Sequence, residues 1–193
     1  MDEITNSAPI GVENLVYAVL TNEKTKTYET PAIISPAIKV KVSPKSNSDT
    51  LYADNRAVET VSSMGEIQVE IETQDLPLEV QSVLLGHKLD TTTKVMCYEA
   101  DDIAPYVATG FKIKKANGKY RYVWLLKGKY SELEEEHGTQ EDKPKFHTPK
   151  LKGVFVTRED KKWKYTADED SGFTGGATWF TKVYDEAPVK EGA

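Results

Sequence analysis

Between Gly65 and Thr73 the chain reads GEIQVEIET, so that Ile67, Val69 and Ile71 alternate with Glu66, Gln68, Glu70 and Glu72. A period of two belongs to an extended strand, whose successive side chains point to opposite faces. The stretch therefore predicts a strand with one apolar face and one face carrying a row of carboxylates and an amide. A helix would scatter these residues around its circumference, so this segment commits its part of the chain to a sheet.

Other segments repeat the pattern. Asn14–Thr21, NLVYAVLT, is rich in β-branched and aromatic residues and predicts a first strand. In AIKVKVS, residues 37–43, Ile38, Val40 and Val42 alternate with Lys39 and Lys41. The run from Tyr106 to Glu132 predicts a hairpin turning at Asn117-Gly118, with Phe111 and Ile113 on one face and Tyr120, Tyr122 and Trp124 on one face of the second arm. A second hairpin is expected over residues 151–168, turning at Glu159–Lys161, and a Gly-containing aromatic strand in the C-terminal segment. One helix is expected near 76–86. Asp75 can cap it, Pro77 suits its first turn, Gly86 can stop it, and Leu76, Val80, Val83 and Leu84 form its apolar stripe. Residues 44–64 are polar, rich in Ser and Asn, and predict a long loop with a small apolar patch at Leu51 and Tyr52. The fold class expected is mainly β, a sandwich or barrel-like domain over 1–193 with one flanking helix, and with 1–13 and 186–193 as flexible termini.

Composition narrows the function. At 193 residues and a net charge of −6, the chain has no global basic footprint for nucleic acid. A single cysteine, Cys97, allows no internal disulfide and is expected to be buried or half-buried. The N-terminal MDEITNSAPIG has neither the basic nor the apolar region of a signal peptide, and no apolar run is long enough to span a bilayer.

No catalytic constellation emerges. His87, His137 and His147 are scattered, and the Glu134–His137 spacing lies in an acidic loop, 132–142, without a third ligand. His87, beside Gly86, is placed to cap the helix C-terminus. Ser131 and Ser171 lack the glycines of a nucleophile elbow, and the glycines of SGFTGGATW lack phosphate-loop spacing. The basic hairpin KIKKANGKYRY suits either nucleic acid or, more simply, a solvated strand edge. No cofactor or metal is expected. A binding module would expose an aromatic platform, for which Trp163, Trp179 and Phe180 are the candidates.

The order of motifs says more than any one of them. GVENLVYAVLTNE, SPKSNSDTLYADNRAVET, DLPLEVQSVLLGH, APYVATGFKIKKANGKYRYVWLLKGKY and HTPKLKGVF follow one another from Gly11 onward. As a set they resemble the major tail protein family of siphophages and prophages of Gram-positive bacteria, the phi-thirteen type, over nearly the whole chain to about Tyr184. The resemblance implies a non-enzymatic, self-assembling tail tube subunit, built in the host cytoplasm and resident in the virion tail. It implies homohexameric rings stacked into a hollow tube, with tape measure, initiator and terminator proteins as partners, DNA passing through without specific binding, and no membrane contact. A ring protein of the tail-terminator kind is the nearest alternative. On this reading Glu66, Gln68, Glu70 and Glu72 are candidates to face the lumen, where carboxylates repel phosphates. A solvated outer face would alternate in the same way. The segment bearing Asn47, Asp49, Leu51, Tyr52, Asp54 and Asn55 is the candidate contact between subunits or rings.

Overall fold

The computed structural model describes residues 7–134 and 147–186. In chain order the strands are β1 (Pro9–Asn22), β2 (Thr27–Tyr28), β3 (Ala32–Ile33), β4 (Ala37–Ala53) and β5 (Arg56–Thr73). Then come helix α1 (Leu78–Leu85) and the strands β6 (Lys88–Leu89), β7 (Met96–Cys97), β8 (Val107–Lys115), β9 (Tyr120–Tyr130), β10 (Lys150–Phe155) and β11 (Lys164–Asp168). The main sheet runs β2-β1-β8-β9-β10-β5-β4, with β3 on β1 and β11 on β9, while β6 and β7 form a small separate ribbon. The mainly β expectation holds. The sheet does not close into a barrel, because among the described residues β4 is hydrogen-bonded to β5 alone.

The sheet folds over a first core of Leu15, Ile67, Ile71, Leu125, Leu151 and Phe155, each at most 1% exposed, and α1 closes one end through Leu84 and Leu85. Fully burying such a side chain contributes about 1.5–3 kcal/mol. A second core lies on the other face of β1, β8 and β9, where Val16, Ala18, Ala108, Trp124 and Leu126 are covered by Trp179 and Val183 of the C-terminal segment. Strand β9 is therefore buried on both faces from Tyr122 to Leu126. That is why YVWLL is continuously apolar where a half-exposed strand would alternate. Phe111 and Ile113 do share the first core, and Tyr122 and Trp124 the second.

Several local expectations are corrected. Residues 44–64 are not a loop: β4 and β5 pair from Ser46↔Met64 out to Ala53↔Arg56 and turn at Asp54 and Asn55, whose φ angles are 51° and 58°. Two successive left-handed residues make the tight turn that matches strand twist, and Asp and Asn tolerate them. The stretch 151–168 is not a hairpin. Both β10 and β11 pair with β9, as one interrupted strand whose excursion turns where Lys161 N donates to Arg158 O. The C-terminal aromatic stretch is not a strand but contains two 3-10 turns, Glu169–Ser171 and Gly176–Thr178. Residues 9–13, read as part of a terminus, belong to β1 and pair with β8.

Pro77, not Asp75, occupies the helix N-cap position, and Gln81 Nε2 donates to Leu76 O at 2.7 Å there. Gly86 stops the helix as expected, at φ 84°, its N–H donating to Ser82 O at 3.0 Å. Cys97 is exposed rather than buried. Among the described residues, no helix is long and apolar enough to cross a membrane.

Candidate functional site

Strand β5 carries the most distinctive surface. Ile67, Val69 and Ile71 enter the core at 0%, 2% and 0% exposure, while Glu66, Gln68, Glu70 and Glu72 stand on the opposite face. Neither neighbour is neutral. On β4, Lys41 lies opposite Glu70 and Lys39 opposite Glu72; on β10, Lys152 lies opposite Glu70 and Lys150 opposite Glu72. Residues opposite one another in an antiparallel ladder present side chains on the same face. Glu70 and Glu72 are thus the middle of three stripes, flanked on each side by lysines, whereas Gln68 lies between Ser43 and Val154.

Three of these charges are tied down further. Lys45 Nζ approaches Glu66 Oε1 to 2.5 Å, and this hydrogen bond, helped by the lysine charge, holds the Glu66 carboxyl below its ordinary range. Lys152 pairs with Glu134 at 2.5 Å, and Thr148 Oγ1 donates to Glu72 at 2.5 Å. Sequence alternation puts Lys39 and Lys41 on one face of their own strand. It is silent on Lys150 and Lys152, whose proximity is created only when β10 docks on β5.

The outer part of the β4–β5 ribbon is the second distinctive surface. Past Pro44↔Ile67, β5 has left β10, and among the described residues the two arms pair only with each other. Eight residues of strand carry the tip about 27 Å beyond the sheet at 3.4 Å per residue. Asn47 pairs with Ser63, Asp49 with Val61, Leu51 with Glu59 and Tyr52 with Ala57, while Asp54 and Asn55 form the turn. Val58, Val61 and Met64 are exposed at 57%, 62% and 44%. Such a ribbon has no core of its own, and isolated two-stranded ribbons are marginal in water.

The remaining candidates have structural partners. The basic hairpin is matched by carboxylates: Lys112 with Glu13 at 3.3 Å, Lys115 with Asp168 and Asp170 at 2.5 and 2.6 Å, Lys119 with Asp170 at 3.2 Å and Arg121 with Asp168 at 2.7 Å. Burial acts to raise the Asp168 carboxyl, but the hydrogen bonds from Lys115 and Arg121 outweigh it and bring it down to about 2. Burial, with the Glu169 carboxylate behind it, pushes the Tyr122 hydroxyl up to about 12.

The supposed aromatic platform is buried at Trp179 and half-buried at Trp163 and Phe180. Trp179 is 5% exposed and stacks on Tyr184 at 4.9 Å, Phe180 lies 5.7 Å from Trp124, and Trp163 packs against the first core. Histidine 87 does not cap α1. Its ring lies between Asp102 and Glu132, with Nδ1–Oδ2 at 2.7 Å and Nε2–Oε1 at 3.1 Å. His137 and most of the acidic loop 132–142 lie outside the described residues. Among the described residues, no group of three or more His, Cys, Asp or Glu side chains is placed to hold a metal ion.

The outward ribbon and the open sheet edge, among the described residues, agree with one comparison. The phage tail tube protein family matches residues 45–185, from the base of the ribbon to the end of the C-terminal cover.

The chain belongs to the phage tail tube protein family.

It is a structural component of the virion tail, a self-assembling tube subunit that associates with other tail proteins. No curated protein matches the chain. The match takes in nearly all of the ribbon, the acidic row and the β5–β11 side of both cores, and its first residue, Lys45, is the partner of Glu66.

Proposed function

We propose that this tail tube protein forms homohexameric rings that stack into a hollow conduit for DNA, with the β4–β5 ribbon reaching a neighbouring subunit or ring. The ribbon carries this reading. It exposes Val58, Val61 and Met64 on strands that, among the described residues, pair with no third strand, and among the same residues β4 keeps one unpaired edge. An open edge of that kind is a template for pairing with another chain, and a closed ring removes it. Tape measure, initiator and terminator proteins are the partners proposed within the tail, and the host cytoplasm the place of synthesis. The narrower phi-thirteen grouping rests on the order of the motifs quoted above. Negative-stain electron microscopy of the concentrated protein, with and without tail-initiating components, tests the proposal: hollow tubes or six-fold rings are expected, and dispersed monomers under both conditions would count against it.

We further propose that the face bearing Glu66, Gln68, Glu70 and Glu72 lines the lumen. Carboxylates placed between two lysine rows leave few cations free to displace the counterions of a passing duplex, and so keep it from adhering. Changing Glu66, Glu70 and Glu72 together to Gln removes the carboxylates facing Lys39, Lys41, Lys45 and Lys150, while Lys152 keeps Glu134. Tubes of this variant are expected to eject DNA several-fold more slowly at low salt, with the deficit vanishing at high salt. Ejection at the parent rate at every salt concentration would place this face on the outside of the tube.

A further inference from the structure

His87 belongs to none of the surfaces above, yet its setting is unusual. Its side chain is 2% exposed and sits just past the end of α1. Asp102 faces one ring nitrogen from the 99–102 turn, and Glu132 faces the other from the stretch that leaves β9. The Tyr98 ring packs on the imidazole at 4.5 Å between centroids. Around this trio, Lys88 Nζ pairs with Glu99 at 2.7 Å, and Asp102 Oδ2 also accepts the Glu99 N–H at 2.9 Å.

We propose that His87 is a proton-operated clasp that joins the 99–102 turn to the exit of β9 while its ring is doubly protonated, and releases Glu132 when the ring becomes neutral. A neutral imidazole has one N–H and one lone pair, whereas two carboxylates require two donors. The two arms are unequal. The Asp102 side chain is 8% exposed and holds the Glu99 N–H as well, so it keeps the remaining proton on Nδ1. The Glu132 side chain is 68% exposed, and when it faces a lone pair it can turn to water at little cost. Glu132 is flanked by Ser131, whose N–H donates to Lys152 O at 2.8 Å, and followed by Glu134, which pairs with Lys152. The clasp therefore bears on the border of the charged face.

Electrostatics agree with this geometry. Burial disfavours the charged ring, but the hydrogen bonds and charges of Asp102 and Glu132 outweigh it and raise the His87 pKa above its ordinary 6.5. The sign follows from linkage: a raised folded-state value stabilises fully below the unfolded value and is lost as pH rises through the folded one.

The test is an NMR titration of the ring nitrogens in the full chain. His137→Gln and His147→Gln assign the His87 signals, and a Glu132→Gln variant, altered at an exposed side chain, is titrated alongside. His87 is expected to titrate above 6.5, with the backbone amide of Glu132 moving at the same midpoint. In Glu132→Gln the ring is expected to titrate at lower pH. That variant is also expected to melt below the parent at about pH 6 and together with it at about pH 9. A His87 midpoint at or below 6.5, a Glu132 amide that ignores it, or the same melting difference at both pH values would overturn the clasp.

Discussion

With residues 46–64 replaced by an Asn-Gly turn, the subunit is expected to fold and melt like the parent and to form no tubes. The ribbon's outer pairs, Ser46↔Met64 to Ala53↔Arg56, pair with no third strand among the described residues and supply no residue to either core, so both cores are expected to survive without them. The melting temperature should move by no more than a few degrees, on the order of 1 kcal/mol. Assembly should fail outright. Val58, Val61 and Met64 lose the burial they gain only against a neighbour, on the order of 1 kcal/mol each, and strand pairing across the interface goes with them. Thermal melting, sedimentation velocity and electron microscopy together decide the matter. Normal tubes from the shortened chain would assign the subunit contact to another surface, and a subunit that no longer folds would make the ribbon part of the domain's own stability.

Gly128→Ala should be the most damaging single methyl in the sheet. Gly128 pairs directly with Phe155 across β9 and β10, and an added Cβ would fall inside the van der Waals envelope of the Phe155 ring. That ring is 1% exposed and packed edge-on against Tyr130 at 5.8 Å, so it has no empty side to move into. Overpacking of this kind costs about 3 kcal/mol, the upper part of its usual range. For a chain of this size that lowers the melting temperature by roughly 6–12 °C. Urea unfolding checks it: the midpoint should fall with the slope unchanged. Phe155→Leu in the same background should cost less than the two single changes added together, because the smaller side chain vacates the space the methyl needs. Strict additivity of the two changes would show that the clash is relieved by backbone movement instead.

Much of the sheet was legible because its signals are local. The alternation at Glu66–Glu72 records a strand with one buried face, and the structure buries Ile67, Val69 and Ile71 accordingly. The hairpin around Asn117-Gly118 and the helix stop at Gly86 were equally visible, since each depends on backbone conformations only a few residues long. The ribbon is hidden in the sequence for a physical reason. A strand pair with solvent on both faces has no reason to alternate, so its polar sequence resembles a loop, and Asp54-Asn55 was the one remaining turn signal. The supposed second hairpin failed differently: β10 and β11 are both apolar enough for strands, but only the presence of β9 decides that they pair with it rather than with each other.

By itself, then, the sequence determined which segments are extended, which face of β5 is oily, and through its ordered motifs which family the chain joins. Only the tertiary structure decided that Lys150 and Lys152 flank the acidic row, that Trp179 is a lid on a second core rather than a platform, and that His87 sits between Asp102 and Glu132. Periodicity reports how one segment meets its surroundings as apolar or wet. It carries no information on which distant segment supplies those surroundings, because strand pairing is chosen by the packing of the whole sheet.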